Sequence, residues 1–147
     1  AEGVIALSTE QGFPVFLAMG SILRGWALAA QWHIETGLSQ LRDGLAALQA
    51  TGSEVCRSQF FALLAETYGQ GGQAEEGLAA VAEALAFVER TEERYCEAEL
   101  YRLKGELTLK KSQVESQKPV LSGAEGSQVE EEAEAYFQKA IAIAQKQ

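Results

Sequence analysis

Phe60-Phe61-Ala62-Leu63-Leu64-Ala65-Glu66-Thr67-Tyr68, followed by Gly69-Gln70-Gly71-Gly72, is the stretch that decides the architecture. Phe60, Phe61, Leu63, Leu64, Thr67 and Tyr68 recur at helical spacing, and the glycines then break the helix, because glycine reaches turn conformations at little steric cost. A second helix follows from about Ala74. Its Leu78, Val81, Leu85 and Val88 lie at offsets of three, four and three, one stripe of an amphipathic helix. The unit is a helical hairpin.

The unit recurs every 40 residues. Leu23-Arg24-Gly25, Leu63-Leu64-Ala65 and Leu103-Lys104-Gly105 share one register, as do Gly37-Leu38 and Gly77-Leu78, and the cysteines Cys56 and Cys96. A fixed period of this size marks an array in which each unit buries its apolar face against its neighbours. Residues 13–52, 53–92 and 93–147 are read as three repeats of one domain, preceded by a partial helix in 1–12. In the first repeat, one helix runs from Pro14, which suits a first helical position, to near Gln31, and the next carries Leu38, Leu41, Leu45 and Leu48. Small residues recur at fixed phase: Gly25 and Ala65, Gly37 and Gly77, Gly44 and Ala84. A glycine inside a helix costs about 1 kcal/mol against alanine, so its recurrence predicts close helix approach.

The third repeat keeps register through Leu100, Tyr101, Leu103, Gly105 and Leu107, but its second helix is late. Ala133 stands 16 residues beyond the phase of Gly37 and Gly77, and the intervening Ser112–Gln128, rich in Ser, Gln and Gly and containing Pro119, reads as a long mobile loop. Gly3–Glu10 reads as a leftover helix closed by Gly12, and Ala142-Ile143-Ala144-Gln145 is apolar without a polar cap after it. Arrays need polar ends, so the expectation is a piece of a longer array, or one that pairs its ends in a homo-oligomer.

Composition agrees with an all-α domain. The 147 residues are 47% hydrophobic with two prolines, and Ala, Leu, Glu and Gln abound. The net charge of −9, with basic clusters only at Lys110-Lys111 and near Lys146, argues against a nucleic-acid partner. No apolar run of about 18 residues suggests a membrane span, and Ala1-Glu2-Gly3-Val4-Ile5-Ala6-Leu7 lacks the basic start of a signal peptide. Cysteines one repeat apart should lie roughly 10 Å from each other, too far for a disulfide. Free thiols and a reducing, cytoplasmic setting are expected.

These hairpins resemble the tetratricopeptide repeat, which places a bulky residue, then Leu-Gly, then Tyr in its first helix and Ala, Phe and Ala in its second. The second repeat supplies Phe61, Leu64-Ala65, Tyr68, Gly77, Val81 and Ala84; the third supplies Tyr101, Lys104-Gly105, Ala133, Phe137 and Ala140. The first, with Ser21, Arg24-Gly25, Leu28, Gly37, Leu41 and Gly44, is degenerate, and the closing proline is missing throughout. The phrases Glu10-Gln11-Gly12-Phe13-Pro14, Ile22-Leu23-Arg24-Gly25-Trp26-Ala27-Leu28-Ala29 and Ala98-Glu99-Leu100-Tyr101-Arg102-Leu103-Lys104-Gly105-Glu106-Leu107 are similar to the C-terminal repeat region of large bacterial signalling proteins. In those, an adenylate or guanylate cyclase or transcriptional-regulator domain precedes a predicted ATPase module. The resemblance implies a right-handed superhelical stack of antiparallel helix pairs that binds partners. It carries over neither enzymatic activity, since no Gly-x-x-x-x-Gly-Lys-Ser/Thr loop occurs.

The catalytic inventory is thin. His33, the single histidine, sits beside Trp32 at a turn and reads as solvated. Gly69-Gln70-Gly71-Gly72 lacks a following lysine and reads as a turn, while Glu75-Glu76, Glu92-Glu93 and Glu130-Glu131-Glu132 suit helix starts. No catalysis, metal or cofactor is expected. The resemblance implies that the first helices line a concave groove, with Met19, Ile22 and Trp26 from the first repeat, Gln59, Ala62 and Glu66 from the second, and Glu99, Arg102 and Glu106 from the third. A basic or amphipathic peptide, or a helix, fits such a lining. Trp26 has an alternative place, in the core or against a preceding repeat. A small effector is the second reading, with anions disfavoured by the acidic lining and the absence of an Arg cluster.

Overall fold

A computed structural model describes residues 1–116 and 123–146, and its regular structure there is entirely helical. The helices are α1 (Glu2–Gln11), α2 (Pro14–Ala30), α3 (Ile34–Ala50), α4 (Arg57–Gln70), α5 (Ala74–Thr91), α6 (Glu97–Ser116) and α7 (Gly123–Ala144), with a short 3-10 turn, Arg94–Cys96, leading into α6. Gly12, in the left-handed region at φ 69°, closes α1, and the Phe13 amide donates to the Ser8 carbonyl at 2.9 Å. Pro14 then opens α2 at a position where a missing N–H costs nothing.

Helices pair in sequence: α2 with α3, α4 with α5, α6 with α7. Glycines show how close the pairs come. A Cβ on Gly25 would lie 2.8 Å from the Gly37 carbonyl oxygen, one on Gly77 would lie 3.2 Å from that of Ala65, and one on Gly105 would lie 3.1 Å from that of Ala133. The same contact therefore recurs at equivalent points of all three pairs, the late one included. Within the first pair, Gly25 meets Gly37 while Gly44, further along α3, meets Ile22 and Ala18, earlier on α2. The pair is antiparallel.

Neighbouring pairs touch through α2–α4, α3–α4, α4–α6 and α5–α6. The core runs continuously through these contacts: Ile22, Leu38, Leu41, Val81, Leu100 and Leu107 are at most 1% exposed. At about 25 cal/mol per Å² of apolar surface, each contributes on the order of 2 kcal/mol.

Two sequence expectations shift. The helix break expected from Gly69 comes later, since α4 runs to Gln70 and the turn is at Gly71-Gly72. Gly69 is a packing residue: a Cβ there would sit 2.8 Å from Leu107 Cδ2. The loop expected over Ser112–Gln128 is largely helix, because α6 continues to Ser116 and α7 begins at Gly123. Most residues of those extensions are adequate helix formers, and just before the first of them Lys111 pairs with Glu75 of α5 at 3.0 Å. The middle of the expected loop, 117–122, lies outside the described residues. No described helix is long and apolar enough to cross a membrane.

Candidate functional site

The nine groove residues expected from the repeat phase occupy α2, α4 and α6 as three sets 40 residues apart: Met19, Gln59 and Glu99; Ile22, Ala62 and Arg102; Trp26, Glu66 and Glu106. Gln59, Ala62, Glu66 and Glu99 come together. With Leu63 and Leu103 they line a cavity of about 310 Å³ between α4 and α6. Its floor is apolar, and carboxylates stand on its rim.

Trp26 is on the surface, 37% exposed, and its indole N–H donates to Glu66 Oε2 at 3.1 Å. That bond joins positions 40 residues apart on α2 and α4, and the exposure places Trp26 outside the core of the described residues. Ile22 is a correction. It is fully buried, with its side chain against Gly44, and belongs to the core. The bare α-carbon of Gly44 on α3 lets Ile22 pack inward, its Cγ1 2.7 Å from where a Cβ would stand. Met19 is half-buried against the same core.

The far side of the groove is an ion-pair ladder on α6. Arg102 donates to Glu99 at 2.7 Å and to Glu106 at 2.9 Å, and Lys110 lies 2.8 Å from Glu106. Hydrogen bonding from Lys110, opposed by partial burial and reinforced by Arg102, holds the Glu106 carboxyl below its usual range. The hydrogen bonds that Arg102 donates to Glu99 raise its pKa further still. Two cations thus answer Glu99 and Glu106. Glu66 has no cation partner among the described residues; its one hydrogen bond comes from a neutral indole.

Tyr95 and Cys96, from the turn before α6, complete the lining and were missed by sequence reasoning. No motif marks them; only the phase shared by Cys56 and Cys96 places a thiol there. Burial pushes both the Cys96 thiol and the Tyr95 phenol up, so each stays protonated at neutral pH. The fully buried Ser58 hydroxyl lies near both but finds no partner at hydrogen-bonding distance among the described residues. Both cysteines are free thiols. His33 is exposed at the start of α3, and the described residues hold no group of three or more His, Cys, Asp or Glu that could hold a metal.

Comparison with protein-family models, with curated proteins and with solved structures found no match.

Proposed function

We propose that this chain is a non-catalytic binding scaffold, a right-handed superhelical array of tetratricopeptide-like pairs whose α2–α4–α6 face takes a basic or amphipathic segment of a partner protein. The recurring close contact at Gly25, Gly77 and Gly105 supports the array reading. One observation carries the binding reading: Glu66, a carboxylate without a cation partner, stands on the rim of an apolar-floored cavity beside an exposed tryptophan. A lysine or arginine would lay its methylene stem on Ala62, Leu63 and Leu103 and its charge on Glu66.

Calorimetric titration with a synthetic amphipathic Lys/Leu helical peptide tests this. Saturable binding is expected, weakened about tenfold by Glu66→Lys and severalfold by Trp26→Ala, with circular dichroism unchanged. Equal affinity for the Glu66→Lys variant contradicts the proposal.

Self-association is a second reading with its own observation. Val4, Leu7, Phe13 and Phe16 of α1 and the start of α2 are each roughly half exposed, and the two phenylalanine rings stack edge-on at 6.2 Å. Light scattering that finds a monomer at every concentration removes it. In the setting implied by the resemblance, a cytoplasmic signalling protein of bacteria, the groove would receive a helix of a neighbouring ATPase module; the length of the gene tests that.

A further inference from the structure

A second cavity, about 230 Å³, opens on the other side of α4, between α4 and α3. Leu45, Leu48, Phe61 and Leu64 make its apolar wall, and Arg42 and Arg57 are its charged lining residues. No carboxylate lines it, in a chain whose net charge is −9. The sequence spreads these arginines over two helices, which is why no cluster is visible in the chain.

Arg57 is the better defined. Its guanidinium lies 5.7 Å from the Phe61 ring centre and 5.8 Å from that of Phe87, and its side chain is only 28% exposed. The nearest carboxylate oxygen, Glu54 Oε1, is 4.0 Å away, and that same oxygen is 2.7 Å from Arg90. Glu54 therefore serves Arg90, and Arg57 has no carboxylate at hydrogen-bonding distance among the described residues. At the other end, Arg42 lies 5.9 Å from the Tyr68 ring centre and, among the described residues, donates to the Leu38 carbonyl, at 3.4 Å. A guanidinium presents a planar fork of donors that a carboxylate satisfies in pairs. Aromatic neighbours hold its plane without consuming those donors.

We propose that this α3–α4 cleft is a separate site for a small amphipathic carboxylic acid, its carboxylate on Arg57 and its apolar body on Leu45, Phe61 and Leu64. The volume suits an acid of about ten to twelve non-hydrogen atoms. Anions excluded from the acidic α4–α6 groove thus have a place on the opposite side of the same helix.

The test is titration of the whole chain with 3-phenylpropanoate and, separately, its neutral amide, read from methyl and aromatic resonances. The acid is expected to saturate with a dissociation constant on the order of 1 mM, shifting Leu45, Leu64 and Phe61, while the amide binds at least about tenfold more weakly. Arg57→Gln should lower acid affinity about tenfold. Gln49→Glu, an exposed change on the same rim, should lower it severalfold without touching the core. Equal binding of acid and amide, shifts that map to α6 instead, or no saturable response to the acid would each overturn the proposal.

Discussion

The first and second hairpins, α2–α3 and α4–α5, share one register and differ at three telling positions. Where the first has Gly25 against Gly37, the second has Ala65 against Gly77, so the first is drawn tighter. The first turns through Trp32 and the second through Gly72, both left-handed, at φ 68° and 73°. On the groove face, Trp26 in the first becomes Glu66 in the second. The period fixes where helices lie. The residues that vary at constant phase decide how tightly they pack and what they present.

The tightness difference should give the largest effect. A Cβ on Gly37 would meet the Gly25 carbonyl oxygen at 2.6 Å and the Ala29 backbone nitrogen at 2.9 Å, atoms that move only if a helix moves. At Gly77 the nearest contacts are the two Leu107 methyl carbons at 3.0 Å, the ends of a flexible side chain, and the Ala65 carbonyl oxygen stands further off at 3.2 Å. Gly37→Ala is therefore expected to destabilise by roughly 2–3 kcal/mol. In Gly77→Ala, the gain in helix propensity, about 1 kcal/mol, offsets most of the crowding. Urea unfolding of both variants measures this, and equal losses would erase the distinction between the hairpins.

The turns should differ less. Trp32 adopts a conformation that costs a non-glycine residue roughly 1–2 kcal/mol, and its side chain is 89% exposed, so packing returns little. Trp32→Gly, which copies the second hairpin, is expected to stabilise by about 1 kcal/mol, and Gly72→Ala to destabilise by a similar amount. A lower melting temperature for Trp32→Gly would show that the exposed indole holds the turn by some other means.

The third position of the groove series, Glu106, should give the smallest effect. Its pKa is depressed in the folded chain, so its contribution is present above the ordinary carboxylate pKa and is lost as pH falls through the depressed one. Both partners are about 40% exposed, and solvent screening limits the effect to below about 0.5 kcal/mol. Glu106→Gln should flatten the acid limb of the stability profile by that amount while leaving stability at pH 7 lower by the same small margin.

Helix identity was legible in the sequence because the apolar stripes of α3 and α5 leave one reading, and the 40-residue phase located Gly25, Gly37, Gly44 and Gly77 at their close approaches. What escaped was set by contacts between elements. Gly69 looks like a breaker until Leu107 is seen to occupy its missing side chain. Ile22 shares a phase with Ala62 and Arg102, and its burial against Gly44 is a contact between helices that the phase does not show. Four of the nine groove positions converge on one cavity, because phase sets the face of a helix. Tyr95 enters from a turn that the helical stripes do not describe, and Arg42 and Arg57 line one cavity from two different helices.

The two tryptophans make cation capture by Glu66 directly measurable. Trp26 holds Glu66 through its indole N–H, while Trp32 stands at the turn after α2, so their indole resonances are a probe and an internal control. Nitrogen–proton spectra should be recorded as the amphipathic Lys/Leu peptide is added. If Glu66 receives a cation in the groove, the Trp26 indole signal shifts to saturation while that of Trp32 stays in place, and Glu66→Lys needs about tenfold more peptide to reach the same fraction of its full shift. A saturating peptide that leaves Trp26 unmoved, or moves Trp32 instead, would contradict cation binding at Glu66.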